Sequence, residues 1–368
     1  MKKKILFVFG TRPEAIKMAS VIRCFKEKSG LETKVCVTAQ HRQMLDQVLS
    51  FFEIVPDYDL NLMTVDQNLY SISANVLLNF KNVLDEFVPD YVMVHGDTTT
   101  STFSALAAFY ARIKVCHVEA GLRTYNKYSP FPEEINRQIT GRIATFHFAP
   151  TIQAKQNLLS EGIDENVIVT GNTVIDSLLW GLKKLNHYND HELINLKEKV
   201  DLKKRIILVT GHRRENFGKP FLSICESLRK IAELENVLVI YPVHLNPNVQ
   251  IPVRKMLSEI DNVMLIEPVS YPSFLWLMSI SRLILTDSGG VQEEAPSLGK
   301  QVLVMRDTTE RPEAIEAGTA KLVGTDSSVI FDAVNEILSF KGENTIQKNP
   351  YGDGKAAERI AHFILNTK

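Results

Sequence analysis

The 368-residue chain lacks most of the signatures that announce a particular chemistry. Its four cysteines, Cys24, Cys36, Cys116 and Cys225, form no C-x-x-C pair. Cys24, Cys36 and Cys116 lie within apolar patterns, so buried free thiols in a reducing compartment are expected rather than a disulfide framework. There is no H-E-x-x-H motif and no Cys/His cluster, and His212 and His244 lack ligand spacing; no metal site is expected. Neither a G-x-S-x-G elbow nor a Walker A sequence occurs. The turn after the first apolar run reads GTRPEA, not G-x-G-x-x-G, which argues against a nicotinamide and against redox chemistry. No cofactor is expected. Neither sign of charge is in excess: 42 Lys and Arg face 43 Asp and Glu, a net charge of -1. That balance supplies no field for nucleic acid or an anionic membrane. No apolar run is long enough to span a bilayer. The opening Met1-Lys2-Lys3-Lys4 and the apolar residues after it imitate a signal peptide. Gly10-Thr11-Arg12 breaks that run too early, so a first strand and a cytoplasmic protein are the expectation.

What is present is alternation. A length of 368 residues predicts two domains, and 45% hydrophobic with 23% charged residues suits a soluble globular protein. Short apolar runs at 5–9, 33–38, 91–95, 114–118, 146–149 and 167–170 read as strands. Amphipathic helices separate them. One opens at Pro13 and buries Ile16, Ala19, Ile22 and Phe25; one follows Gln40-His41-Arg42-Gln43 with Met44, Leu45, Val48 and Leu49 inward; a long one covers 67–87. A polar run at 187–192 marks a junction, after which strands at 205–210, 237–241, 263–266, 283–286 and 302–305 repeat the pattern. KILFVFGTR (4–12) and RIILVTGHR (205–213) echo one another as strand, Gly, any residue, Arg. The predicted fold class is α/β: two Rossmann-like domains with parallel sheets, residues 1–170 and 171–354, and a final helix (355–368) crossing back onto the first.

In such sheets ligands bind outside the carboxyl ends of the strands. Arg12, Asp97 and Glu119 fall just past such ends, and Glu133, Glu134 and Arg137 follow in a helix entered through Ser129-Pro130-Phe131-Pro132. The stretch 283–312 reads strand, then Asp287-Ser288-Gly289-Gly290, then a helix with Glu293 and Glu294 early. Glycine there lets a phosphate reach the main chain, and an acid one turn on suits a ribose diol. With Lys17, His212, Arg213 and Arg311, these residues suit a nucleotide diphosphate carrying a second group, held in a cleft between the domains. The second domain would hold the nucleotide and the first would act on that group. Clustered carboxylates raise one another's pKa values, which provides for a base and an acid. Each residue also has a plain structural alternative: Asp97 as a helix cap, Glu133 as a first-turn acid, His212 or His244 ordering a loop, Phe274 and Trp276 as core.

The assembled motifs resemble the bacterial non-hydrolysing UDP-N-acetylglucosamine 2-epimerases nearly end to end. They are FGTRPEAIKM (9–18), VTAQHRQMLDQVL (37–49), VHGDTTT (94–100), HVEAGLRT (117–124), PEEINR (132–137), TGNTVID (170–176), VTGHRREN (209–216), YPVHLNPNV (241–249), LTDSGGVQEEAPSLGK (285–300), RDTTERPEA (306–314) and NPYGDG (349–354). The resemblance implies a glycosyltransferase-B-like arrangement with the active site between the domains, and a homodimer. It implies interconversion of UDP-N-acetylglucosamine and UDP-N-acetylmannosamine through elimination of UDP to 2-acetamidoglucal and re-addition, without metal or nicotinamide. The product would supply cell-envelope polysaccharide. By matching position, Asp97, Glu119, Glu133 and His212 are catalytic. Arg12, Lys17, Arg137, Phe274, Ser288, Gly289, Gly290, Glu294 and Arg311 contact the UDP-sugar. Gln40, Gln67, Glu134, Arg213 and His244 match a second, regulatory UDP-N-acetylglucosamine site, at which Asp66 stands where some relatives carry arginine. The competing readings are a hydrolysing relative releasing N-acetylmannosamine and UDP, a retaining glycosyltransferase, and a non-catalytic UDP-sugar sensor.

Overall fold

Parallel strands covered by helices on both faces have no solvent side, so their residues bury continuously instead of alternating. The apolar runs behave in this way. In the computed structural model, which describes residues 2–39, 42–62, 68–340 and 348–367, Ile5 to Phe9 and Tyr91 to Val94 are almost wholly buried. The chain divides into two compact units, residues 1–180 with 351–368, and residues 181–350.

The first unit runs β1 (Lys3–Phe9), α1 (Arg12–Lys26), β2 (Leu31–Val37), α2 (Arg42–Phe51), β3 (Tyr58–Asp59), α3 (Leu69–Phe87), β4 (Tyr91–His95), α4 (Thr99–Tyr110), β5 (Lys114–Val118), α5 (Glu133–Ile143), β6 (Phe146–Ala149), α6 (Ile152–Ser160) and β7 (Val167–Val169). Helix α7 (Thr173–Leu185) then carries the chain past the boundary at Trp180. The second unit holds α8 (His191–Lys199), β8 (Arg205–Thr210), α9 (Lys219–Ala232), β9 (Val237–Pro242), α10 (Pro247–Leu257), β10 (Val263–Ile266), α11 (Tyr271–Ile280), β11 (Leu283–Thr286), α12 (Gly289–Glu294), β12 (Gln301–Val304), α13 (Pro312–Glu316), β13 (Ala320–Leu322) and α14 (Ser327–Ser339). Helix α15 (Ala356–Asn366) returns to the first unit, where Phe363 meets Phe146 and Phe148 edge-on.

Among the described residues both sheets are parallel, ordered β3-β2-β1-β4-β5-β6-β7 and β10-β9-β8-β11-β12-β13. Strand order reverses beside β1 in one sheet and beside β8 in the other. These are the two strands of the sequence echo, so the repeated strand-Gly-x-Arg unit marks the switch point of each sheet, where ligands bind in doubly wound folds. Each sheet has its own core. Leu6, Val8, Phe80, Val92 and Ala105 pack on one face of the first, and Ile207, Val209, Leu228, Leu285 and Ile330 in the second.

The four thiols are free; Cys36, Cys116 and Cys225 are buried and Cys24 half-buried. Burial pushes the Cys225 thiol up to about 12, so it stays protonated and unreactive. Among the described residues no helix is long and apolar enough to cross a membrane. Several expectations need correction. Met44 is 45% exposed, because it falls off the inner stripe of α2 that buries Leu45, Val48, Leu49 and Phe51. The long helix begins at Leu69, capped by Asn68, which accepts from Ser71 N. Strands β3 and β13 carry no apolar run of their own that would announce them. The polar run at 187–192 includes the start of α8, capped by Asp190.

Candidate active site

Site geometry in the first unit begins with strand register. His95 lies opposite Val118, and Gly96 N donates to Val118 O, so the ends of β4 and β5 are level. A Cβ on Gly96 would sit 3.5 Å from Glu119 Oε1. Glu119 has φ +62, a left-handed conformation that costs a non-glycine residue about 1–3 kcal/mol. Its carboxylate is held in place by an ion pair with Lys17 of α1 and by Asn172 Nδ2 at 3.2 Å. Asp97 follows β4 directly. Arg137 of α5 donates to its Oδ2 from Nε at 2.9 Å and Nη2 at 2.8 Å, while the neighbouring Asn136 donates to its carbonyl at 2.8 Å. Burial raises the Asp97 pKa, Arg137 opposes that, and Glu119 adds to it; the net shift is upward. The cap of α4 is Thr98, whose Oγ1 accepts from Ser101 N, so Asp97 is not committed to capping. Glu133 opens α5 with Oε2 buried and, among the described residues, without a hydrogen-bond partner. Arg12 lies half-buried at the first position of α1.

Beneath this group lie buried histidines. His117 Nε2 donates to Gly96 O at 2.7 Å, and His95 Nε2 stands 3.8 Å from Glu119 Oε2. Burial lowers His95 to about 4 and His117 to about 3, so both are neutral near pH 7 and act as dipoles rather than charges.

Glu14 is the residue that sequence reasoning overlooked. It is 2% exposed and accepts from Gly10 N (3.0 Å), Thr11 N (2.9 Å), Thr11 Oγ1 (2.8 Å), Thr98 Oγ1 (2.7 Å) and Ser101 Oγ (2.9 Å). It thereby ties the turn carrying Arg12 to the turn carrying Asp97. Its pKa is raised by burial, against all those hydrogen bonds. The Thr11-x-x-Glu14 spacing is a capping box, which was the available signal.

Glu134, matched above to a regulatory site, is fully buried. It accepts from Thr124 N at 2.9 Å, Tyr125 N at 3.2 Å, Arg137 Nη1 at 3.2 Å and Gln138 Nε2 at 3.3 Å. Burial raises its pKa, but these bonds and the Arg137 charge outweigh it and the net shift is downward. The geometry makes Glu134 a strut between Arg137 and the 124–125 loop. Gln40 and Gln67, with Asp66, lie outside the described residues.

In the second unit, Gly211, His212 and Arg213 follow β8, and Asp287, Ser288 and Gly289 follow β11. Buried Asp287 accepts from His212 N and Arg213 N, both at 2.8 Å. Thus each unit ties its switch-point turn with one buried carboxylate, Glu14 in the first and Asp287 in the second. His212 stacks on His244, centroids 5.0 Å apart and 14° from parallel. His244 Nδ1 accepts from Asn246 N at 3.0 Å, so this ring orders the Pro-bounded loop as well. Ser288 occupies the N-cap position of α12 without a side-chain capping bond, and a Cβ on Gly289 would lie 3.7 Å from the Arg311 guanidinium. Arg311 is paired with buried Glu293 and its loop is set by Thr309, which bonds Gln292 Oε1 at 2.7 Å. Of the acidic pair, Glu293 therefore serves Arg311. Glu294 lies beside Tyr271, whose pKa is raised well above the usual value by burial and by that carboxylate. Phe274 is half-buried in α11. Among the described residues no group of three His, Cys, Asp or Glu side chains could hold a metal ion.

Two doubly wound parallel sheets, with polar side chains gathered at both switch points, define a protein of two Rossmann-like domains. The chain belongs to the UDP-N-acetylglucosamine 2-epimerase family, whose model matches residues 23–365. It is 56% identical to the UDP-N-acetylglucosamine 2-epimerase of Salmonella typhimurium, over 98% of each chain. Identity to the Campylobacter jejuni protein of the same description is 52%, over 100% of this chain and 99% of the relative. The crystal structure of the Neisseria meningitidis UDP-GlcNAc 2-epimerase bound to UDP-GlcNAc superposes with a TM-score of 0.88 at 49% identity, covering 99% of this chain and 100% of that one.

Proposed function

We propose that this chain is a non-hydrolysing UDP-N-acetylglucosamine 2-epimerase. The observation that carries the proposal is the carboxylate group of the first unit. Asp97 and Glu119 stand at adjacent strand ends, each paired with a cation, and Glu133 has a buried oxygen unpartnered among the described residues. A nucleotide-binding scaffold alone has no need of three acids there. The full-length likeness to epimerases supplies the substrate class.

The hydrogen at C2 of the sugar is not next to a carbonyl, so a carboxylate removes it only as UDP departs. In the forward step a carboxylate takes the C2 proton, the C2–H electrons form the C1=C2 bond, and the C1–O electrons leave with UDP. In the return step a proton is delivered to the other face of C2 and the diphosphate oxygen adds again at C1. The raised pKa of Asp97 suits a group that both takes and returns a proton. Glu119, fixed by Lys17 and Asn172, and Glu133 complete the acid–base set. UDP must be stabilised as it leaves and retained until re-addition. Arg12, His212, Arg311 and the Ser288-Gly289-Gly290 turn are suited to the diphosphate, Glu294 to the ribose and Phe274 to the uracil. Removal of one preorganised donor of this kind raises a barrier by about 3 kcal/mol.

We infer further that the enzyme works as a cytoplasmic homodimer supplying envelope polysaccharide synthesis. Glu134, Arg213 and His244, with Gln40 and Gln67, would form a second UDP-N-acetylglucosamine site. The test is product identity. Incubation with UDP-N-acetylglucosamine, followed by NMR, is expected to give UDP-N-acetylmannosamine at a constant final ratio with total UDP-sugar conserved. Free N-acetylmannosamine and UDP as main products would establish the hydrolysing reaction instead. Binding without turnover would leave a sensor.

A further inference from the structure

One buried carboxylate at the second switch point has no part in the reaction as described. Asp287 is fully buried, and its Oδ2 accepts two backbone N–H groups, from His212 and Arg213. Its Oδ1 is buried too and has no hydrogen-bond partner among the described residues. An acceptor left in that condition costs about 1–3 kcal/mol, more when charged. Such an oxygen is a place prepared for a donor. The imidazole of His212 is within reach: Nδ1 lies 3.9 Å from Oδ1, just beyond hydrogen-bond range. The His212 side chain is 44% exposed and keeps room to turn. His244, stacked on it, does not offer Nδ1–H, because its Nδ1 already accepts from Asn246 N.

We propose that Asp287 is a positioning residue for His212: against a bound diphosphate the imidazole turns its Nδ1–H onto Asp287 Oδ1 and presents Nε2–H to the phosphate oxygens. This role rests on the reading of the second unit as the UDP holder. The groups that face the ring are Asp287, His244 and Arg213. In the free protein, burial holds the His212 pKa below its usual value; Asp287 opposes this, while His244 and Arg213 reinforce it. The free ring is therefore neutral at pH 7.5. A diphosphate adds negative charge on the open side of the ring, and with Asp287 behind it the imidazolium becomes the favoured form. One proton passes from solvent to His212 as UDP binds and returns to solvent as it leaves. Asp287 directly precedes Ser288-Gly289-Gly290, so one turn would both face the diphosphate and orient the cation against it. Oδ2 meanwhile keeps the turn after β8 fixed, which limits the motion to the ring.

The experiment is calorimetric titration of the full chain with UDP at pH 7.5 in buffers of different ionisation enthalpy, which counts protons taken up. The wild-type chain is expected to take up close to one. Asp287→Asn keeps a carbonyl oxygen for the two backbone N–H groups but removes the charge. Uptake is expected to fall near zero and UDP binding to weaken about tenfold. Unchanged uptake in Asp287→Asn overturns the role. A measurement on the wild-type chain needs no variant to fold: 15N shifts of His212 with UDP bound are expected to show both ring nitrogens protonated, and a neutral ring overturns the role. UDP binding without proton uptake contradicts the role alone, whereas no UDP binding by the wild-type chain contradicts the nucleotide reading and the role with it.

Discussion

Asp97 is pulled in two directions: burial favours its neutral acid and the Arg137 fork favours its carboxylate. A proton-transfer group working near neutrality needs this kind of opposition. Asp97→Asn keeps the shape and a hydrogen bond to Arg137 but removes the proton-accepting charge. Turnover is expected to fall by roughly 100-fold or more with UDP affinity little changed, as general acid–base groups contribute about 10²–10⁴. Steady-state kinetics with a UDP binding curve checks this, and unaltered turnover removes Asp97 from the acid–base set. Residue identity at the strand ends was legible in the sequence, since Arg12, Asp97, Glu119 and the Ser288-Gly289-Gly290 turn all follow apolar runs. What those residues lean on was less so. Glu14 and Asp287 act through backbone N–H groups of turns, and Glu134 is bonded to the 124–125 loop and to Arg137 in ways no spacing announces.

At the scale of elements, the sequence showed most strands because burial on both faces leaves an unbroken apolar run. It missed β3 and β13, two or three residues each, which pair at sheet edges and bury little. The loop from β5 to α5 depends on close packing that no periodicity reports. Gly121 has φ +92, and a Cβ there would meet Ala154 O at 2.1 Å. Gly121→Ala is expected to cost at least about 3 kcal/mol of stability, read from urea unfolding; a loss under about 0.5 kcal/mol would mean that α6 yields easily. The return of the chain is fastened by Asp176 of α7, which accepts from Ala356 N at 3.2 Å and Ala357 N at 2.9 Å at the start of α15. Burial raises its pKa to about 6, against those bonds. Because the folded value lies above the unfolded value of about 3.9, its contribution is full below about pH 4 and is lost as pH rises through about 6. Relative to wild type, Asp176→Asn should therefore gain about 2 kcal/mol between pH 4 and pH 7. Parallel stability curves for the two proteins across that range would contradict the assignment.

For the whole molecule, the weak echo between residues 4–12 and 205–213 proved to be architectural. Both segments are the strand and turn at a sheet's switch point, and both turns are tied by a buried carboxylate. The two units have diverged in chemistry: acids gather in the first, while the second offers glycine, His212 and Arg311. The central claim is that the proton at C2 leaves and returns while UDP is held. Its most direct test is turnover of UDP-N-acetylglucosamine in D2O, with C2 followed by proton NMR. Deuterium is predicted at C2 of the UDP-N-acetylmannosamine formed, and progressively in the remaining UDP-N-acetylglucosamine. UDP-N-acetylmannosamine that keeps its original proton at C2 would contradict it.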